Sequence, residues 1–352
     1  MDARSRATSR RRRHTFPALL LLLLAAVLTA CSTSASSPSA TAAALASATP
    51  APTVATPKPT EAPTPTPTPA PTFPLTLTDD EGTEVTLPAA PTRIASITNA
   101  ATEILFALGV GDNVVGKVEE FTPFPPEVAN VPDVAKFGSV DVEKIVGLGT
   151  ELVIAGGSNF NPPDAIAKLR QLGIPVLVVF APDVKTALAD ITLIGGAVGR
   201  DDEAAKLVDS IQASFDQVAA VTSGQPKPRV YYELDASNGF FGPAPDYFGT
   251  EMIETAGGDP LTSGTDGVYQ LEEEKILAFD PEVILLGDAA YGVTPEQVAA
   301  RPGWETLTAV KNGDVRPIDD VIVTRPGPRL GEGIRTLATA IHPDLVLPSA
   351  AP

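Results

Sequence analysis

Two stretches that begin 131 residues apart share one pattern: Val142-Glu-Lys-Ile-Val-Gly-Leu-Gly-Thr-Glu-Leu-Val-Ile-Ala-Gly156 and Glu273-Glu-Lys-Ile-Leu-Ala-Phe-Asp-Pro-Glu-Val-Ile-Leu-Leu-Gly287. Each copy opens with apolar residues at helical spacing (Ile145, Val146 and Leu148; Ile276, Leu277 and Phe279). It then turns, and ends in an apolar run too short for a helix and closed by glycine. The pattern predicts a short amphipathic helix followed by a buried strand, a unit of a parallel α/β sheet. Solenoid repeats recur at roughly 20 to 50 residues. A single recurrence at this longer distance predicts two related α/β lobes, and facing lobes enclose a cleft. Glu143 of the first copy falls on Glu274 of the second.

The chain's beginning has a different character. Arg4, Arg6 and Arg10 to Arg13 form a basic segment, Ala18 to Leu28 an apolar one, and Leu28-Thr-Ala-Cys31 closes it with small residues. This reads as a secretory signal, because about 11 to 13 apolar residues fall short of the roughly 20 needed to span a bilayer. The arginine run is compatible with twin-arginine export, but His14-Thr-Phe16 matches that signal poorly and points to the general route. Residues 32–73 are nearly all Ser, Thr, Ala or Pro, with Pro63-Thr-Pro-Thr-Pro-Thr-Pro69 at the centre. Such a segment buries no core and is expected to be a disordered stalk, reaching up to roughly 100 Å at about 3.1 Å per residue.

The rest is expected to fold as a lobe over 74–200, a helix over 201–224 and a second lobe over 225–352. Strand and helix signals alternate: strand Arg93–Ile97, a helix over Ala100–Leu108, Val114-Val-Gly116, the first repeat, a helix over Pro163–Leu172 and strand Ile174–Phe180. A mostly parallel sheet follows from that alternation. Ala204, Leu207, Val208, Ile211, Phe215 and Val218 keep helical spacing without a break, which predicts a long helix crossing once between lobes; the same pattern also suits an ordinary packing helix. The second lobe is expected to contain strand Arg229–Leu234, a helix over Phe248–Ala256, the second repeat, the segment Arg301-Pro-Gly-Trp304, an edge strand over Val315–Ile318 and a last helix over Leu330–Ile341.

Charge and residue inventory exclude several functions. The formal net charge is −18. Residues 1–31 hold six arginines and one aspartate, so without them 19 basic side chains face 42 acidic ones and the charge is −23. Such a surface repels nucleic acid and anionic lipid. Cys31 is the only cysteine, and His342 is the only histidine beyond the signal. A histidine-based metal site is therefore excluded. No Gly-x-Ser-x-Gly elbow, Walker A or Gly-x-Gly-x-x-Gly pattern occurs. A secreted hydrolase would be left with paired carboxylates of the glycosidase kind. The chain reads as a binding protein, not an enzyme, without a cofactor.

The segments Arg93-Ile-Ala-Ser-Ile, Thr102-Glu-Ile-Leu-Phe-Ala-Leu-Gly109, Val114-Val-Gly, Phe124-Pro-Pro, the repeat at 142, Leu172-Gly-Ile-Pro, Ala256-Gly-Gly, Arg301-Pro-Gly-Trp, Ala309-Val-Lys-Asn-Gly313, Arg325-Pro-Gly-Pro-Arg329 and His342-Pro follow one another in order. Together they resemble the periplasmic-binding-protein family that serves ABC importers of ferric siderophores and vitamin B12, across residues 93 to 345. Leu-Thr-Ala-Cys31 resembles a lipobox, which implies a lipidated Cys31 and an extracytoplasmic, membrane-anchored receptor. The resemblance also implies two Rossmann-like lobes joined by one long helix, a ligand cleft with modest closure, and a monomer that delivers its ligand to permease subunits.

In that family a glutamate near the start of each repeat helix docks on permease arginines, and the matching positions are Glu143 and Glu274. A first-turn carboxylate also satisfies a helix dipole. Cleft positions carried over from cobalamin-binding members are Phe121, Phe137, Phe241 and Arg325. Placement in loops after strand carboxyl ends adds Asn159, Phe160, Tyr247, Tyr269 and Tyr291. Phe240 and Phe241 lie in a Gly/Pro-rich loop, where exposed rings would suit a large, flat ligand. Tryptophans that line the corrinoid cleft of some relatives are Phe137, Gly156 and Val268 here, and Trp304 lies in a segment that reads as structural. A corrinoid and a ferric siderophore both remain open, with haem as the alternative through a tyrosine.

Overall fold

The computed structural model describes residues 72–158, 160–262 and 270–349, all within one unit spanning Thr64–Pro352. The expected signal, nearly all of the expected stalk, Cys31, Asn159, Val268 and Tyr269 lie outside the described residues.

A hairpin comes first, β1 (Leu75–Thr78) paired antiparallel with β2 (Glu84–Leu87). The first lobe continues with β3 (Ile94–Ser96), α1 (Asn99–Ala107), β4 (Val114–Val118), β5 (Asp133–Lys136) and β6 (Ser139–Val140). It is completed by α2 (Val142–Gly147), β7 (Leu152–Ala155), α3 (Pro163–Gln171), β8 (Val176–Val178) and α4 (Val184–Val198). After α5 (Asp201–Thr222) the second lobe runs through β9 (Arg229–Glu233), β10 (Phe240–Phe241), α6 (Phe248–Thr255), β11 (Asp259–Pro260) and β12 (Gln270–Leu271). Then come α7 (Glu273–Phe279), β13 (Val283–Leu286), α8 (Pro295–Ala299), α9 (Thr308–Asn312), β14 (Val315–Pro317), α10 (Asp320–Thr324) and α11 (Leu330–Ile341).

The first sheet has the order β6-β5-β4-β3-β7-β8 and is parallel except for the β5–β6 pair. The second, β11-β9-β13-β14, is parallel throughout. The two-lobe α/β architecture expected from the repeat is present, and α2–β7 and α7–β13 are its two copies.

Strand alternation decides what each sheet face meets. Ile94, Leu152, Ile154 and Leu177 of the first sheet share one core with Val230, Tyr232, Val283 and Leu285 of the second, together with Ile191, Phe215, Met252 and Ile334 from helices. The intervening residues face two separate outer cores, Ala95, Val153 and Val178 in one and Tyr231, Ile284 and Leu286 in the other. The central core is carried by α4, α5, α6 and α11, which pack on one another. Moving the lobes far apart would expose that apolar surface to water, which is unfavourable.

Helix α4, over Val184–Val198, has no clear signal in the sequence. The pair Gly195-Gly196 interrupts the helical pattern there, and glycine is a poor helix former. In the structure α4 runs through it because α5 crosses closely: a Cβ at Gly195 would lie 2.4 Å from the Cβ of Ala204. Asp183 caps the helix through the Thr186 amide, and Gly199, at φ 68°, ends it.

Candidate ligand-binding cleft

Parallel strands all release their chain at the same sheet edge, so their carboxyl-terminal loops converge. In the first lobe those loops carry a series of aromatic rings. Phe121 and Phe124 follow β4, Phe137 follows β5, Phe160 follows β7 and Phe180 follows β8. In strand order this places Phe137, then Phe121 and Phe124, then the amino end of α1, then Phe160 and Phe180 along one edge. Phe121 is 92% exposed and Phe137 81%, with Phe160 at 47% and Phe180 at 41%. The rings of Phe160 and Phe180 lie 6.2 Å apart. A recess of about 390 Å³ opens beside them, its wall including Gly156, Gly157, Phe180 and Pro182 and the acidic Asp80 and Glu81. Five phenylalanines gathered at one edge and left largely in water are unusual for a structural role, because burial of each would be favourable.

The second lobe contributes the loops after β9, β13 and β14. Tyr291, after β13, is 79% exposed. Tyr247 packs its ring 4.4 Å from that of Phe248 and donates its hydroxyl to the Thr324 carbonyl at 3.3 Å. Phe241 is half-buried in the β10–β12 ladder opposite Gln270. Phe240 is half-buried too, 5.2 Å from the wholly buried Trp304. The Gly/Pro-rich loop thus does not leave both rings in solvent as expected from sequence, because strand pairing and Trp304 take up Phe240.

Arg325, a cleft position by the family resemblance, is engaged within the protein: its Nη1 donates to Glu103 at 2.7 Å and to Glu120 at 3.0 Å. Arg329 donates to the same Glu103 through Nε at 2.8 Å and Nη2 at 2.7 Å, and its guanidinium covers the Phe124 ring at 4.1 Å. The Glu103 and Glu120 side chains are fully buried, so two arginines of one lobe neutralise two carboxylates of the other. Burial pushes the Glu120 carboxyl up, against the opposing pull of Arg325, and its Oε1 has no hydrogen-bond partner among the described residues. A charge cannot be buried cheaply without such pairing.

Glu103, Glu120, Phe124, Phe180 and Arg329 were not singled out as site residues from sequence. One signal was present for Glu103: it stands inside the apolar helical run Ala100-Ala-Thr-Glu-Ile-Leu-Phe-Ala, where a carboxylate requires a partner. Glu143 and Glu274 are exposed in the first turns of α2 and α7 and make no salt bridge among the described residues.

The model of the family described as "periplasmic binding protein" matches residues 94–321. An uncharacterized ABC transporter substrate-binding lipoprotein of Bacillus subtilis, YvrC, is 34% identical over 277 residues, covering 77% of this chain and 87% of that protein. A cobalamin-binding protein of Halobacterium salinarum is 29% identical over 285 residues, covering 77% and 75%. Among solved structures, a periplasmic haem-binding protein of Roseiflexus superposes with a TM-score of 0.63 at 25% identity, covering 71% of this chain and 98% of that one. With two α/β lobes around a shared helical core and a family match over most of its folded part, this chain belongs to the periplasmic binding protein family of ABC transporter substrate-binding proteins.

Proposed function

We propose that this protein captures a cobalamin-type corrinoid outside the cytoplasm and delivers it to an ABC permease. The observation that carries the reading is the edge of exposed rings, Phe121, Phe137, Phe160 and Phe180, beside arginines already neutralised by Glu103 and Glu120. Stacking rings beside arginines that are already paired suit a broad ligand of low net charge. A ferric catecholate carries several negative charges and would need unpaired basic groups. The cobalamin binding of the halobacterial relative supports the same choice. Haem is the second reading, favoured by Tyr291, a phenol exposed on a cleft loop that has the chemistry of an axial ligand, and by the haem-binding Roseiflexus neighbour.

The receptor works without enzymatic activity, as a monomer, held to the membrane through a lipid on Cys31 and spaced from it by the stalk. Glu143 and Glu274 are its two contacts with the permease, Phe121, Phe137, Phe160 and Tyr291 line the ligand site, and Asn159 and Tyr269, outside the described residues, are further candidates for it. Calorimetric titration of the purified protein with cyanocobalamin, cobinamide, haemin and ferric hydroxamates and catecholates tests the cargo. Saturation by the corrinoids with a Kd below about 1 μM, and weaker uptake of the catecholates, is the expected result. Saturation by haemin or a siderophore alone would overturn the corrinoid assignment.

A further inference from the structure

Buried polar atoms normally find partners, yet three atoms on β9 and just after β13 have none among the described residues. They are the Tyr231 hydroxyl and both carboxylate oxygens of Asp288. Asp288 is 4% exposed, and Tyr231 and the neighbouring Glu233 are wholly buried. A single cation serves this cluster. Arg301 donates Nη1 to one Glu233 oxygen at 2.6 Å and Nη2 to the other at 2.8 Å, and its guanidinium lies 4.6 Å from the Trp304 ring and 5.3 Å from that of Phe240. Arg301 is thereby committed to Glu233, and among the described residues neither side-chain oxygen of Asp288 has a hydrogen-bond partner.

The other elements packed on this segment do not supply one. From α10, Asp320 accepts the Tyr232 phenol and presses against Gly287, where an added Cβ would lie 2.9 Å from its Oδ1. Asp319 is occupied in capping α10 through the Val321 amide. From β14, Arg316 turns to Asp314 and the Ala340 carbonyl. A lone buried carboxylate is strongly disfavoured, and two carboxylates with one guanidinium between them retain one charge too many.

We propose that buried Asp288 holds a proton beside the Arg301-paired Glu233, and that release of this proton to solvent displaces the cleft segment Gly287–Tyr291. Burial, and after it Glu233, push the Asp288 carboxyl up to about 6, so the release falls within the range an extracytoplasmic protein meets. The direction of movement follows from packing. Tyr232 and Asp320 block the inner side of Gly287, so a charged Asp288 gains water only by moving outward, and the exposed Tyr291 at the end of the segment moves with it. The inference does not depend on the identity of the cargo.

Trp304 is the chain's only tryptophan and reports on the cluster through Arg301. Its emission in the full chain is expected to titrate with a midpoint near 6. Asp288→Asn, which imitates the protonated state, is expected to abolish that titration and keep the low-pH spectrum throughout. His342→Gln is expected to leave the titration in place, since the His342 ring lies against the Gly257 carbonyl. A titration that survives Asp288→Asn unchanged, or disappears in His342→Gln, overturns the proposal. Should Asp288→Asn not fold, infrared difference spectra of the unmodified protein decide. A protonated-carboxyl band lost between about pH 5 and pH 7 supports a protonated Asp288, and its absence overturns it.

Discussion

Glu103 on α1 receives Arg329 from the head of α11 in a two-point ion pair, Nε to Oε2 at 2.8 Å and Nη2 to Oε1 at 2.7 Å, joining two lobes that are more than two hundred residues apart in sequence. The Glu103 side chain is fully buried, so the pair compensates a desolvation cost as much as it adds attraction. Glu103→Ala strands both Arg325 and Arg329, and breaking a buried pair in this way costs about 3 to 5 kcal/mol. Urea unfolding should show that loss for Glu103→Ala and a clearly smaller one for the isosteric Glu103→Gln. A loss under about 1 kcal/mol for the alanine variant would mean that water replaces the carboxylate.

Phe121 and Phe137, at 92% and 81% exposure, contribute little to the core. Replacing either with alanine should leave stability within about 0.5 kcal/mol, as for surface substitutions in general. Ring stacking on a ligand should be lost, lowering corrinoid affinity on the order of tenfold for each ring. Paired calorimetric and thermal measurements on the two variants separate these effects. Unchanged affinity in both would remove the rings from the site.

Legibility of the chain followed the range of its interactions. The α2–β7 and α7–β13 units were readable because local periodicity and a terminal glycine repeat in both. Helix α4 was not, since Gly195-Gly196 looks like a break until α5 is seen to need the space at Gly195. The same division holds at the site. Loop position alone placed Phe160 and Tyr291 at strand carboxyl ends. It could not show that Arg325 is already bonded to Glu103 and Glu120, because those contacts join positions 222 and 205 residues apart. Nor could it show that Phe240 leans on Trp304 rather than on a ligand.

Glu143 and Glu274 stand at equivalent points of the two repeats, exposed and without salt bridges among the described residues. Two like charges on separate lobes fix orientation as well as attraction when they meet two basic groups. Joint replacement, Glu143→Ala with Glu274→Ala, should leave cargo binding in solution unchanged and abolish uptake by cells. Each single variant should retain part of the transport. Normal uptake by the double variant would sink the docking assignment.

Asp190 on α4 is nine-tenths buried beside Asp80 of the β1–β2 turn, and burial first, then Asp80, push its carboxyl up to about 9. Asp80 in turn accepts the Phe180 amide at 2.6 Å, so this pair holds the hairpin against the strand that leads to a cleft ring. The folded chain keeps the Asp190 proton to about pH 9, whereas the unfolded chain loses it near 4. Across that window the folded state binds more protons, so this group makes stability fall as pH rises. Asp190→Asn removes the ionisable group while preserving the shape of the protonated form. Melting temperatures at about pH 5, 7 and 9 should therefore decline less in the variant than in the unmodified protein, with the widest separation at the alkaline end. Parallel profiles would mean that Asp190 is ionised in the folded state and that water, not a proton, meets its buried oxygen.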